Sequence, residues 1–336
     1  MTVTIAEKGF HATVQDLGRH GYQRFGIIVG GAMDSPSAQL ANWLVGNAGG
    51  AAVIEYSFLG PTVCFDQPTV FAVTGAQSQP QLDEYAIRGG RPVLARKGQV
   101  LKIGGLIRGS RGYLAVSGGF DTPLWLGSRS TYERAGCGGY RGRALRATDR
   151  LPVGSLSAMQ KRLLNRLLHH EADGFRWYAG LRRSYRQPVV IRVMRDAQWA
   201  LFTEASHRAF FSSDYRIGPA SDRMGYRLEG EVIRRTEARD MFSEAVTFGS
   251  VQVPPGGQPI VLMADHQSTG GYPRIAQIAA VDLPVLAQLT PGQSIHFQAI
   301  TCGEAEHLLL RREQTLAALQ GSIHRRLQQT LNELDD

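Results

Sequence analysis

Glycine cuts this sequence into short β-branched runs, and that punctuation limits the possible folds more than any other feature. The chain has 39 glycines in 336 residues. Its apolar runs are AVIEYSFLG (52–60), TVFAVTGA (69–76), QVLKIGG (99–105), RGYLAVSGG (111–119), VVIRVM (189–194), GSVQVP (249–254), PIVLMAD (259–265) and SIHFQAI (294–300). Gly, Pro or Asp bounds most of them. Strands so short and so closely spaced predict a mainly β protein, a sandwich or a barrel. Strand and helix do not alternate regularly, which disfavours a doubly wound parallel sheet.

Helices are few. In MDSPSAQLANWLVGN (33–47), Ser35 is the expected cap and Pro36 the first helical position, with Ala38, Ala41, Leu44 and Val45 on one face and Gly46 as the stop. SLSAMQKRLLNRLLHH (155–170) has Met159, Leu163 and Leu167 at helical spacing. From about 304 to 330, Ala305, Leu308, Leu309, Leu316, Leu319, Ile323 and Leu327 predict a long C-terminal helix. Two readings of that helix stand side by side: a partner interface, or a surface helix lying on its own domain. A chain of this length tends to split its core in two. The expected boundaries are a first domain over 1–153, an Arg-rich linker or insert over 154–187, a second domain over 188–303 and the helix over 304–336.

With 43% hydrophobic and 20% charged residues, the chain can bury a core. The net charge of +8 invites a nucleic-acid reading, but net +6 of it lies in residues 156–192, where eight basic side chains face Glu171 and Asp173. Such a run more often forms a solvated face, and no nucleic-acid-binding motif accompanies it. Cys64, Cys137 and Cys302 are far apart and form no C-x-x-C pair, so neither zinc nor a disulfide framework is indicated. The N-terminus has no export signature and no run is long enough for a membrane span. The expected compartment is the cytoplasm. A P-loop, a G-x-G-x-x-G turn between strand and helix, a G-x-S-x-G elbow and an H-E-x-x-H helix are all missing. No metal site is expected, and none of the four lysines lies in the Met-Lys-Met context of a biotin carrier.

Seven blocks remain: TVQDLGRHG (13–21), GGAMDSPSAQLANWLVGN (30–47), LGSRST (126–131), GGYRGR (138–143), SDRMGYRLEG (221–230), SVQVPPGGQPIV (250–261) and PIVLMADHQSTGGYPRI (259–275). In order and spacing they resemble the carboxyltransferase-like family that holds 5-oxoprolinase C subunits, allophanate hydrolase subunit 2, Kip-type antagonists and half of the urea carboxylase carboxyltransferase domain. The resemblance runs from about residue 3 to about 305. It implies two tandem cyclophilin-like β-barrel domains with a few short helices and a C-terminal helix. It also implies partners: a subunit-B-like protein of the same family and, in a 5-oxoprolinase, a third subunit. Such a complex couples ATP hydrolysis to opening the lactam of 5-oxoproline, and a single chain is expected to be inactive alone. No cofactor is expected on this chain; ATP is used by the complex, and biotin enters only under a carboxyltransferase alternative. A non-enzymatic antagonist binding a subunit-B-like kinase inhibitor is a third reading. The chain departs from the family pattern at Thr148-Asp149, at Asp196-Ala197 and at Ser268, as well as in the length of its Arg-rich insert.

A small substrate bearing a carboxylate needs a cation, oxyanion donors and an acid or base. Arg223 and Arg227, flanking Tyr226, offer guanidinium groups that can take a carboxylate through paired hydrogen bonds, or that can instead bridge to Asp222 or Glu229. Gly270 and Gly271 let backbone amides approach a ligand, or simply form a turn before Pro273. Asp265, ending an apolar strand, is the first candidate for general base or ligand anchor, against a turn-capping role. Thr269 and Tyr272 join it as catalytic candidates, with Gln267 and Ser268 as substrate-orienting groups. Asn42, inside a helix, and Glu55, inside an apolar strand run, complete the substrate-binding set. Asn47 reads as a helix terminus. Gln15, Asp16 and Arg19 occupy a turn, Asp34 precedes the first helix, and His11, His20 and His266 are weaker candidates. Asp265→Ala is expected to abolish activity of the complex without unfolding the chain.

Overall fold

A computed structural model of the chain describes residues 1–169, 175, 177–181, 187–237 and 241–333. The fold is mainly β, with five α-helices among the described residues. The chain divides into two compact units. One comprises Met1–Arg19, Asp34–Arg182 and Thr315–Asp336; the other comprises His20–Met33 and Arg183–Gln314.

The first unit is built on one ten-stranded sheet. Its path runs through Arg150–Pro152, Thr2–Glu7, Leu59–Phe65, Val100–Val116, Val53–Ser57 and His11–Gln15, with Thr69–Ser78 also paired to the long strand. That strand joins two runs that look separate in sequence. Its first half pairs with Leu59–Phe65 and its second with Val53–Ser57, and Gly104 (φ 76°) and Gly109 (φ 89°) take the left-handed conformations that let it bend between them. Val14, Ile54, Phe71, Val73, Leu114 and Val116 share one buried face. On the other, helix α1 (Ser35–Leu44) lies against Thr69–Ser78, Val100–Val116 and Val53–Ser57. With both faces covered, Val53–Ser57 is buried at every position, so period-two alternation disappears there.

Helix α1 starts one residue earlier than the sequence implies. Asp34, not Ser35, is the cap, taking Ser37 N–H at 3.3 Å and Ser37 Oγ–H at 2.8 Å. Helix α2 (Ala158–His169) opens with a reciprocal cap in which Ser157 N–H donates to Gln160 Oε1 at 2.9 Å and Gln160 N–H to Ser157 Oγ at 3.2 Å. It buries Gln160, Leu163, Leu164 and Leu167. Further along the insert, Ala179 N–H donates to Gly90 O at 2.7 Å, so this stretch is docked on the first unit. Positions 170–174, 176 and 182–186 lie outside the described residues. At Asp149, one of the departures from the family pattern, Arg143 donates twice, at 2.7 and 2.8 Å. Burial pushes this carboxyl up, but the bonds from Arg143 and Arg146 N–H outweigh it and leave it below the usual carboxylate range.

The second unit is a closed seven-stranded barrel in the order Val189–Arg195, Arg274–Ile278, Ser250–Gln252, Ile260–Leu262, Gly225–Glu229, Asp214–Ile217 and Ser294–Ala299. A parallel pairing between Val189–Arg195 and Ser294–Ala299 completes the ring and leaves no edge. Its core includes Ile191, Val193, Tyr226, Val251, Val261 and Phe297. Helix α3 (Glu204–Ser212), capped by Thr203, contributes Phe210, whose ring stacks on Phe297 with centroids 4.5 Å apart. The short helix α4 (Leu283–Leu286) follows.

Helix α5 (Cys302–Glu333) is longer than the predicted 304–330. Thr301 and Glu304 form a capping box, with Glu304 N–H donating to Thr301 Oγ1 at 3.2 Å and Thr301 N–H to Glu304 Oε2 at 2.7 Å. Leu316, Ile323, Leu327 and Leu331 are buried. This part of the helix therefore packs its apolar stripe on its own chain.

Candidate active site

The site begins where strand Ile260–Leu262 ends. The chain there clips onto the turn around Arg223: Met263 N–H donates to Met224 O at 3.0 Å and Asp265 N–H to Arg223 O at 2.8 Å. These bonds bring two side chains 42 positions apart face to face. Arg223 Nε donates to Asp265 Oδ2 and its NH2 group to Asp265 Oδ1, each at 2.8 Å. The same NH2 group also reaches Gly31 O at 2.7 Å, within the same unit. Such two-pronged geometry is the strong form of a carboxylate–guanidinium pair. Asp222 takes the other role open to it, accepting Met224 and Gly225 N–H to fix the turn.

Both oxygens of Asp265 and two nitrogens of Arg223 hold each other just before the His266–Tyr272 loop. Tyr226 points into the barrel core, and its hydroxyl lies 3.4 Å from Ala287 O. Arg227, on the alternate face of the same strand, is exposed.

His266 is 3% exposed and its Nδ1 lies 2.6 Å from Gln267 O. Burial pulls the imidazole below its ordinary value of 6.5; the Gln267 carbonyl and the Asp265 carboxylate push it up but do not prevail. The folded protein then binds fewer protons than the unfolded one as pH falls below 6.5, so this contribution to stability is complete above that pH and declines below it. Wild-type protein is expected to lose stability in urea on going from neutral pH into the acid range more steeply than His266→Gln. Parallel pH profiles for the two proteins would refute this.

Beyond His266 the chain forms a two-stranded ribbon, Thr269–Gly270 paired with Glu244–Ala245. Thr269, Gly271 and Tyr272 are exposed, with Gln267 also open and Ser268 half-buried. The ribbon is tied to the barrel by Gln252, whose Nε2 donates to Tyr272 O at 3.0 Å. At Gly270 an added Cβ would lie 2.5 Å from Gln252 Nε2, so that amide would have to shift, whereas at Gly271 the nearest atom would be 3.5 Å away. Gly270→Ala is expected to cost about 1–3 kcal/mol by displacing that buried amide. Gly271→Ala should unfold near wild type in the same denaturant titration; equal losses in both would sink the argument.

Arg274, which follows the ribbon, was not among the sequence-derived candidates. It bridges Asp196 through Nε at 3.1 Å and Glu244 through NH2 at 3.1 Å, and its N–H donates to Gln198 Oε1 at 2.8 Å. Arg274 lies in the block 259–275, and the departure at Asp196 marks the carboxylate that holds it.

Asn42 and Glu55 belong to the first unit, each with its own partners. Asn42 Nδ2 donates to Ala51 O at 2.7 Å, and its Oδ1 accepts from Asn47. Asn47 does more than end a helix: it bonds Val116 O, Gly118 N–H and Gln160 Nε2 as well. Glu55 accepts from Tyr113 Oη–H at 2.8 Å and lies 3.9 Å from Arg111 Nε. Asp16 is taken up by its own loop, accepting from Ser128, Ser130 and the N–H groups of Gly18 and Arg129. Arg19 bonds Ser130 O and lies over the Trp125 ring. Gln15 bonds Thr13, and His11 lies 2.7 Å from Glu133.

The open part of the candidate site is therefore the ribbon, with hydroxyls from Thr269, Ser268 and Tyr272 and small residues at Gly270 and Gly271. Among the described residues, no group of three or more His, Cys, Asp or Glu side chains is placed to hold a metal ion.

The family model for the carboxyltransferase domain, subdomain A and B, matches residues 25–299. The chain is 40% identical over 310 residues to the 5-oxoprolinase C subunit of Escherichia coli, spanning 92% of this chain and 94% of that protein. It is 29% identical to urea amidolyase of Saccharomyces cerevisiae across 97% of its own length but only 18% of the yeast protein. Among solved structures, Kluyveromyces lactis urea carboxylase superposes on 94% of this chain with a TM-score of 0.84 at 29% identity, covering 29% of that protein.

Proposed function

The chain belongs to the family of carboxyltransferase domains with subdomains A and B, and from that membership we propose that it serves as the C subunit of an ATP-dependent 5-oxoprolinase. The complex would hydrolyse the lactam of 5-oxo-L-proline to L-glutamate. One observation carries the choice within the family: the similarity to the 5-oxoprolinase C subunit extends over nearly the full length of both chains, whereas the urea amidolyase match occupies a small part of a much longer protein. The partners in this reading are a subunit-B-like protein of the same family and a third subunit.

Opening an unactivated amide requires a positioned water, stabilisation of the carbonyl oxygen as it gains charge, and a proton for the leaving nitrogen. On this chain the exposed ribbon supports that assignment. Gly271, where an added Cβ would meet nothing nearer than 3.5 Å, leaves space for the substrate to approach the backbone, and Thr269, Ser268 and Tyr272 bring hydroxyls that donate or accept. The Asp265–Arg223 pair and the Arg274 bridges hold that ribbon, and Gln252 fixes its far end. Asp265 in this reading positions the loop, and its role as general base gives way to the pairing with Arg223. Arg227, the exposed member of the arginine pair, is the candidate group for a carboxylate on the substrate.

Glutamate release from 5-oxoproline and ATP is the test. Release is expected from the three-subunit mixture and not from this chain alone. Carboxyl transfer from carboxybiotin is the second reading, favoured by the structural likeness to urea carboxylase. It predicts that the chain captures a biotinylated carrier and that glutamate release is absent from the mixture.

A further inference from the structure

An open cleft runs along the first turns of helix α2, and the proposed reaction makes no use of it. It lies in the first unit, between that helix and the chain leaving strand Arg150–Pro152, and its volume is about 490 Å³. Clefts of this size hold small molecules. Its apolar part is Val153, Leu156 and Leu164; its polar part is Ser155, Lys161 and Asn165. The walls are fixed by bonds of the chain itself. Val153 N–H donates to Met1 O at 2.9 Å and Gly154 N–H to Gly119 O at 3.0 Å. On the helix side, Gln160 Nε2 donates to Val45 O at 2.9 Å and to Asn47 Oδ1 at 2.7 Å, which ties the helix start to the body of the same unit.

The charge in the cleft is of one sign. Among the described residues that line it there is no Asp or Glu. Lys161 and Asn165 are four positions apart on the helix and so neighbours on one face. Neither side chain forms a hydrogen bond or ion pair with the described residues. Lys161 also stands near the end of the helix where a cation is disfavoured. The first turn carries the positive end of the helix dipole, which favours an anion, and no acidic residue occupies that turn in α2. An ammonium and a helix start that share no carboxylate, set beside apolar side chains, have a simple complement: one carboxylate on an aliphatic tail.

We propose that this cleft binds a small aliphatic monocarboxylate, with its charge on Lys161 and the Asn165 amide and its tail on Val153, Leu156 and Leu164. Isothermal titration of octanoate into the full chain tests it, with octanol as the uncharged probe carrying the same tail. Octanoate is expected to saturate one site per chain, and octanol to bind roughly tenfold or more weakly, as loss of a charge-assisted hydrogen bond requires. Lys161→Met keeps the aliphatic stem and removes the charge. It is expected to weaken octanoate by roughly tenfold and to remove the decline of binding with added salt. Leu156→Ser is expected to weaken both probes, since both place their tail there. Equal affinity of the wild-type chain for octanoate and octanol would overturn the proposal, and that comparison needs no variant to fold. Absence of saturable octanoate binding would overturn it too, as would wild-type affinity in Lys161→Met shown by circular dichroism to be folded.

Discussion

Asp265→Ala is expected to destabilise the second unit by about 3–5 kcal/mol, because it strands a buried guanidinium whose paired acceptor is gone. The side chains of Arg223 and Asp265 are 10% and 12% exposed, so water replaces little of the lost interaction. Arg223→Ala should cost a similar amount. The double variant should cost clearly less than the sum of the two, since the second substitution removes the charge that the first left unpaired. Urea titrations of the three variants measure this directly, as a shift of the midpoint at unchanged slope. Midpoints equal to wild type in both single variants would show that the pair carries no load. The sequence alone predicts a loss of activity without loss of stability; the observed pairing replaces that with a loss of both. Asp265→Asn separates the two roles. If the complex with Asp265→Asn stays folded but releases no glutamate, the carboxylate has a chemical part beyond holding Arg223.

Phe210→Ala should also cost about 3–5 kcal/mol, through the lost burial and the cavity left behind. Phe210 is fully buried, stacks on Phe297 and packs within 6.1 Å of Tyr215, ring centre to ring centre. It comes from helix α3 rather than from a barrel strand, so it measures how far the barrel depends on the helix that covers it. Phe210→Leu retains most of the volume and should lose markedly less. Unfolding of purified Phe210→Ala at the wild-type urea midpoint would contradict this account. Below its unfolding transition, the variant should support near wild-type glutamate release in the assembled complex, because Phe210 lies in the barrel core, away from the exposed ribbon.

The strands were the most legible part of the chain. Each of the eight apolar runs contains a strand in the structure, because runs of Val, Ile, Thr and aromatic residues between chain-reversing residues leave few other ways to bury apolar surface. Helix α2 and the C-terminal helix also appear where periodicity placed them. What sequence reading got wrong depends on contacts from far away. The run 52–60 is broken by the left-handed turn at Phe58, where an aromatic residue stands in a conformation associated with glycine. The runs 99–105 and 111–119 are one 17-residue strand, since the glycines between them bend the strand instead of ending it. Helix α1 takes its cap from Asp34 because that carboxylate, rather than the Ser35 hydroxyl, reaches the first-turn N–H of Ser37.

The candidate site was legible as a list of residues and not as an arrangement. Asp265, Thr269, Gly270 and Tyr272 stand out locally because a carboxylate at the end of an apolar strand and small residues before a Pro are locally unusual. That Asp265 is spent on Arg223, that Tyr226 is part of the barrel core, and that Arg274 is held between Asp196 and Glu244 are facts about partners tens of positions away.

The sequence by itself determined the mainly β class, the stretches that hold strands and helices, and family membership through ordered motifs, since each depends on residues close together along the chain. Only the tertiary structure decided which charges neutralise one another, which side chains a covering helix buries on a second face, and which glycine is needed for room rather than for a turn. Those outcomes depend on distances of a few ångströms between residues that chain order leaves far apart, and the energy of an ion pair or a steric contact changes sharply over that range.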